Sequence, residues 1–301
     1  MNVAGPEQWY ALLDVLEKEG GVAIILGATD TGKSTLAKFL IFNLCQRGLK
    51  VALVDADIGQ SFLGPPSTIG FSIFKSDPTW QLILSPPEIF FVGSITPEGH
   101  FPVHLQGVKK MVDRAISLQP DLILVDTTGF VLGEAGKELK RRKIDLISPQ
   151  FLLALQKSDE IEPVLKLYKE NPLCKIHRLP LSEKIRPRSL EERQTYRTNK
   201  FRDYFKHSLV QELAVEEIQM EGEVLDPNGE SIPLEWSLRI NGLLIGLKDR
   251  NDETLALGVI RNFLIEKKIL RVLTPLTDIQ RVKTIQLSSQ KVIPISEEEK
   301  M

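Results

Sequence analysis

The residues with the clearest capacity for chemistry are Gly27-Ala28-Thr29-Asp30-Thr31-Gly32-Lys33-Ser34, a glycine-bounded loop closed by a lysine and a hydroxyl. In a G-x-x-x-x-G-K-[ST] loop, successive backbone N–H groups turn toward anionic oxygens, which lets the chain cradle a triphosphate. Lys33 would bridge the β- and γ-phosphates and the Ser34 hydroxyl would hold Mg²⁺. Gly27, Thr29, Asp30, Thr31, Gly32 and Thr35 would complete the cradle. The expected donor is ATP or GTP, with Mg²⁺ as cofactor.

Two apolar runs end in carboxylates. The first is Val51-Ala52-Leu53-Val54-Asp55-Ala56-Asp57-Ile58-Gly59-Gln60. A strand continuing through both acids would put Asp55 and Asp57 on one side, at the carboxyl edge where open α/β sheets bind ligands. One could take the proton of an attacking hydroxyl while the other orients Mg²⁺-bound water. The second run, Leu122–Val125, leads into Asp126-Thr127-Thr128-Gly129-Phe130, a Walker-B-like strand, whose Asp126 would be expected to hold Mg²⁺ through water. Spacing alone leaves the base and metal roles open among Asp55, Asp57 and Asp126.

A basic window follows. Residues 183–206 carry eight basic and four acidic side chains in a chain of net charge −2. Ser189-Leu190-Glu191-Glu192 is a capping box, so a helix should begin near Leu190. Arg193 and Arg197 then share a face, and Arg188 falls just outside the helix. An arginine-bearing helix above a phosphate loop can close on the γ-phosphate. Lys140-Arg141-Arg142-Lys143 reads as a solvated helix face. His100, His104, His177 and His207 lack metal-ligand spacing, and Trp9, Trp80 and Trp236 read as core.

The elements that must position these groups are legible in outline. Val22–Leu26, Val51–Val54, Ile89–Val92, Leu122–Val125 and Phe151–Leu155 read as buried strands, with helices over Ser34–Arg47 and around Val108–Ala115. This alternation predicts an α/β fold, a P-loop parallel sheet with flanking helices and an arginine lid near 180–206. From about residue 214, short alternating runs at Ser237–Ile240, Leu243–Leu247, Leu255–Ile260, Ile269–Val272 and Thr284–Leu287 predict a small β domain. They are broken by Asp226–Gly229 and Asp249–Asp252, and an acidic stretch at Glu297–Glu299 follows. The expected division is 1–207 and 208–301. At 301 residues, with 38 Lys+Arg against 40 Asp+Glu, bulk-charge coating of nucleic acid is not expected. Two cysteines build no disulfide scaffold, and the longest apolar runs fall far short of a membrane span. With no signal-peptide pattern at Met1–Tyr10, a cytoplasmic protein away from membranes is expected.

Taken together, these motifs resemble the polynucleotide 5′-hydroxyl kinase family, which includes the RNA kinase of the pre-mRNA cleavage machinery, nucleolar pre-rRNA kinases and archaeal homologues. The resemblance rests on Gly27–Thr35, on Asp57-Ile58-Gly59-Gln60 with Pro65-Pro66, and on Asp126–Val131. It extends through Gln156 with Glu160, Arg188 and Arg193 ahead of Tyr204-Phe205, and Gly242–Leu247 with Leu257–Ile260. It implies ATP-dependent phosphorylation of RNA or DNA bearing a 5′-hydroxyl end. By the same resemblance Asp57 activates the hydroxyl, Arg188 and Arg193 stabilise the transferring group, and Gln60, Thr128 and Phe130 meet the acceptor. Phe130 stands where the eukaryotic RNA kinase has a tryptophan, so stacking is expected on a smaller face. The P-loop begins at residue 27, so the N-terminal domain of the eukaryotic members is not expected here. A P-loop ATPase switch, an ATP-holding scaffold in RNA processing and a small-molecule kinase are the alternatives, since a P-loop does not name its acceptor.

Overall fold

The computed structural model describes residues 4–75, 87–222, 224–225, 231–232 and 240–292. Trp80, Trp236, the turn Asp226–Gly229, all of the Ser237–Ile240 run except Ile240, and Glu297–Glu299 lie outside them. The first part of the chain runs α1 (Glu7–Glu19), β1 (Gly21–Gly27), α2 (Lys33–Gln46), β2 (Val51–Ala56), β3 (Thr68–Phe74) and β4 (Glu88–Phe91). It continues with α3 (Phe101–Ser117), β5 (Leu122–Thr127), α4 (Gly133–Ile147), β6 (Phe151–Leu155), α5 (Glu162–Leu165) and β7 (Lys175–Leu179).

These strands form one sheet in the order β4-β3-β2-β5-β1-β6-β7. From β2 to β7 all neighbours are parallel, while β3 and β4 add an antiparallel edge. Both faces are covered. Val22, Ile24 and Leu26 of β1 pack toward α3, α4 and α5, and Ala23 and Ile25 pack toward α1 and α2. A strand buried on both faces has no polar side, which is why these segments read as unbroken apolar runs. Each fully buried Leu or Ile in them contributes about 1.5–3 kcal/mol of transfer free energy. Trp9 is fully buried, and its Nε1 donates to the Pro180 carbonyl at 3.0 Å, fastening α1 to the approach to the lid.

The second part runs α6 (Leu190–Phe205), β8 (Leu209–Ala214), β9 (Gln219–Glu221), β10 (Val224–Leu225), β11 (Ser231–Ile232), β12 (Leu243–Lys248), β13 (Thr254–Leu264), β14 (Ile269–Thr274) and β15 (Thr284–Lys291). β10 pairs with β11, and the others form a six-stranded sheet in the order β8-β14-β13-β12-β15-β9. One face of that sheet packs against the first part. Phe91 of β4 and Phe205 of α6 are buried with Leu244, Leu257 and Val259. Contact is close enough to exclude a side chain at Gly246, where a Cβ would come within 2.5 Å of the Phe91 ring. Tyr204 Oη accepts from Leu257 N at 2.9 Å. The C-terminal end of α6 is therefore fixed on the second sheet, and its N-terminal half reaches over the first.

Candidate active site

β1 ends at Gly27 and α2 begins at Lys33, so the phosphate loop lies between a buried strand and a helix N-terminus. Such a terminus presents unpaired N–H groups to an anion. Gly32, the N-cap, has φ 87°, a left-handed conformation that suits glycine. Thr31 is fully buried, and its Oγ1 donates to the Ala28 carbonyl at 2.9 Å. Lys33 Nζ donates to the same carbonyl at 2.7 Å. Burial holds the Lys33 amine below the usual lysine range, with Asp126 and Asp57 pulling the other way. The loop touches the end of β5: a Cβ at Gly129 would fall 2.7 Å from the backbone nitrogen of Thr29. Only glycine fits between these two segments.

The three carboxylates separate by environment. β2 stops at Ala56, so Asp55 and Asp57 part company rather than sharing a side. Asp55 points inward. Its Oδ2 accepts from Ser61 Oγ at 3.1 Å, Leu63 N at 2.9 Å and Phe62 N at 2.5 Å, and its Oδ1 accepts from Asp57 N at 3.2 Å. Both oxygens are occupied by its own loop, which replaces the metal role expected of Asp55 with that of a loop organiser. Burial pushes its carboxyl upward against those hydrogen bonds. Asp57 lies in the cleft, with Oδ1 accepting from Gly59 N at 3.2 Å and Gln60 N at 3.1 Å. Asp126 is in register with Asp55 across the β2–β5 pair. Its Oδ2 accepts from Ser34 Oγ at 2.6 Å, and its Oδ1 is buried with no partner among the described residues. Burial first, and the Asp55 charge second, push Asp126 up to about 7. A hydroxyl paired with a carboxylate that keeps one oxygen free fits a hard cation, which takes few protein oxygens and leaves the rest to phosphate and water.

α6 supplies the roof. Ser189 Oγ accepts from Glu192 N and the Glu192 side chain accepts from Ser189 N, a complete capping box at the expected position. Arg193 Nη2 pairs with Asp30 Oδ2 at 2.6 Å, and Arg188 N donates to the same oxygen at 3.2 Å. Arg188 Nη1 donates to Gln60 Oε1 at 3.1 Å, and Gln60 Nε2 donates to the Arg193 carbonyl at 3.3 Å. Further along, Tyr196 Oη donates to the Ser61 carbonyl and Lys200 Nζ to the Phe62 carbonyl. The helix is thus laced along the loop that follows Asp57. Spacing gave no sign of Tyr196 or Lys200 in this role, because their partners are main-chain carbonyls.

The P-loop, Asp57, Gln60, Thr128, Phe130 and the arginines Arg188, Arg193 and Arg197 line one cleft of 370 Å³. Phe130 is half-buried and meets Phe101 edge-to-face, with ring centroids 6.1 Å apart. The run Lys140–Lys143 differs from its expectation. Arg141 and Arg142 do face solvent and pair with Glu138, but Lys140 and Lys143 are 1% and 0% exposed. Residues three apart share a helix face, and here that face is the inner one, with Gly136, Leu139 and Ile144. No helix among the described residues is long and apolar enough to cross a membrane.

Residues 27–207 match the family described as mRNA cleavage and polyadenylation factor CLP1 P-loop. A polyribonucleotide 5′-hydroxyl-kinase of Pyrococcus abyssi (strain GE5 / Orsay) is 30% identical, over 95% of this chain and 91% of its own. One of the same name from Methanocaldococcus jannaschii is 30% identical, over 91% of this chain and 88% of its own. A chain in the solved complex of wild-type Clp1p with Pcf11p (454–563) superposes with a TM-score of 0.74 at 16% identity, covering 96% of this chain and 80% of that one, a likeness of fold. The match over residues 27–207, joined to 30% identity along nearly the whole length, makes this chain a member of the CLP1 P-loop family.

Proposed function

We propose that this chain is an RNA 5′-hydroxyl kinase, which moves the γ-phosphoryl group of ATP onto the 5′-hydroxyl end of RNA. The observation that carries this reading is the convergence of phosphate loop, acid, arginines and aromatic on one cleft. The two archaeal relatives named for that activity support it. Residues 1–207 hold every group the reaction needs, and 208–301 hold the second sheet, on which the far end of the lid rests.

On the donor side, Lys33 leaves the Ala28 carbonyl for the β- and γ-oxygens, and the N–H groups of the loop surround them. Mg²⁺ would be held by Ser34 and Asp126, and when bound it neutralises charge on those oxygens. On the acceptor side, Asp57 accepts the proton of the 5′-hydroxyl as its oxygen bonds to phosphorus. The bond from the γ-phosphorus to the β–γ bridging oxygen breaks, and ADP leaves. Arg193 and Arg188 meet the charge that spreads over the transferring group.

The test is transfer of label from γ-labelled ATP with Mg²⁺ to matched 5′-hydroxyl and 5′-phosphate oligonucleotides, RNA and DNA in parallel. Label on 5′-hydroxyl RNA alone, or on both 5′-hydroxyl acceptors, supports the reading; release of inorganic phosphate with no labelled acceptor refutes it. In the same assay Asp57→Asn should remove transfer while ATP affinity stays within about threefold. Asp55→Asn should instead lower Tm, because it weakens the hydrogen bonds that shape the loop. If single-turnover rates fall further for Asp55→Asn than for Asp57→Asn at equal Tm, the acid is wrongly assigned.

Phe130→Ala tests the acceptor platform. Stacking a base on an aromatic ring is worth about 1–3 kcal/mol and tolerates any base. KM for the oligonucleotide should therefore rise about 5–100-fold with little change for ATP. A core role predicts a lowered Tm and both KM values shifted together.

A further inference from the structure

Three buried cationic or titratable side chains stand behind the cleft without lining it: His104 on α3, and Lys140 and Lys143 on α4. All three are 1% exposed or less. The bonds of His104 and Lys140 go to the tips of two particular strands. His104 Nε2 donates to the carbonyl of Ala56 at 3.2 Å, the last residue of β2 and the one before Asp57. Lys140 Nζ donates to Thr127 Oγ1 at 3.0 Å and to the Thr128 carbonyl at 2.6 Å, just past Asp126. Thr127 Oγ1 in turn donates to the Ile25 carbonyl at 2.8 Å, which ties the same point to β1.

The third member, Lys143, lies on the same buried face of α4 as Lys140. Lys143 Nζ has no hydrogen-bond partner among the described residues, and neither does Nδ1 of His104. Because the Ala56 carbonyl can only accept, His104 carries its proton on Nε2, which leaves Nδ1 as an acceptor. A buried donor and a buried acceptor lack partners on two helices that pack together. A water bridging the two would give each of them a partner. Burial, and then the Lys143 charge, keep the imidazole well below its usual range, consistent with that neutral tautomer.

We propose that His104, Lys140 and Lys143 form a buried positioning network that sets the distance between Asp57 and Asp126. It does so by clamping the tip of β2 from α3 and the tip of β5 from α4. This inference rests on the kinase reading, since it fixes the acceptor acid against the metal-holding acid. A fold without that requirement gains nothing from an amine here: burial pushes the Lys143 amine down to about 7, a desolvation cost that an apolar side chain of equal length does not carry. Misplacing a catalytic group by about 1 Å can cost about 10²-fold in rate.

The experiment compares Lys143→Met and Lys140→Met with wild type in Tm, in kcat and both KM values, and in the gain in ATP affinity on adding Mg²⁺. For Lys143→Met the expected result is a Tm equal to or above wild type with kcat down about tenfold or more and KM for ATP nearly unchanged. For Lys140→Met the expected result is a comparable loss of kcat, together with a smaller Mg²⁺-dependent gain in ATP affinity. A Lys143→Met protein that is unstable or fails to fold overturns the proposal, and so does one that keeps a wild-type kcat. If the wild-type chain itself transfers no label, the kinase reading has failed; the network is then judged by Mg²⁺-dependent ATP affinity, where an unchanged gain in Lys140→Met overturns it and a reduced gain supports it.

Discussion

A Lys33→Ala protein is expected to fold normally and to lose phosphoryl transfer, with the single-turnover rate down by about 10³-fold. The stability half of this expectation comes from what the amine does without ligand. Lys33 is 6% exposed, and its one hydrogen bond among the described residues is to the Ala28 carbonyl within its own loop. Burial already disfavours its charge, so removing the ammonium also removes a desolvation cost. Position 33 opens α2, where alanine is a better helix former than lysine. The catalytic half comes from reach. Lys33 lies among Asp126, Asp57 and Asp30, and it is the P-loop side chain able to carry a positive charge to the β- and γ-oxygens. Thermal denaturation and single-turnover transfer on one preparation check both halves. Near-wild-type transfer in a folded Lys33→Ala protein would place the donor elsewhere.

What was legible in the sequence was whatever depends on local pattern. The phosphate loop has fixed spacing, and the capping box at Ser189–Glu192 is a local reciprocal bond, so both landed where expected. Strands β1, β5 and β6 announced themselves because burial on both faces forces unbroken apolar runs. β3 carries Thr, Gly and Ser among its apolar residues, which breaks the apolar run, yet all of Thr68–Phe74 is buried, with α3 packed across one face of it. β7, at the other edge, mixes Lys175, His177 and Arg178 with Ile176 and Leu179, and an edge strand has no need of an apolar pattern.

The candidate site divides along the same line. Residue types and spacing located the acids but could not separate their roles, because that turns on where β2 stops. Ending at Ala56 sends Asp55 into the loop and Asp57 into the cleft. The burial of Lys140 and Lys143 escapes the sequence for a related reason. Four consecutive basic residues look like a solvated face, and only the packing of α4 against α3 shows that two of them turn inward. A spacing of three alongside Leu139 and Ile144 was the available signal.

The lid prediction joins both parts of the molecule. Phe205 and Tyr204 hold the far end of α6 on the second sheet, while its near end rests on the cleft through the Arg193–Asp30 pair. Arg193 is 20% exposed and Asp30 10%. In this arrangement a P-loop carboxylate occupies the guanidinium that the phosphate oxygens will need. Negative charge on those oxygens grows and spreads in the transition state, so Arg193 should be drawn from Asp30 most strongly at that moment. An arginine acting this way is worth about 10³–10⁵ in rate. Arg193→Ala should therefore lower kcat by that order while ATP binding falls far less. The ion pair itself contributes about 1 kcal/mol or less, so Tm should move by only about 2–4 °C. Arg193→Lys should recover only a fraction of the rate, since an ammonium cannot match two phosphoryl oxygens with a planar fork. Pre-steady-state transfer, ATP titration and thermal denaturation of the two variants decide it. A loss of about twofold in kcat would return Arg193 to the role of a surface residue paired with Asp30, and would leave Arg188 and Arg197 to close the cleft.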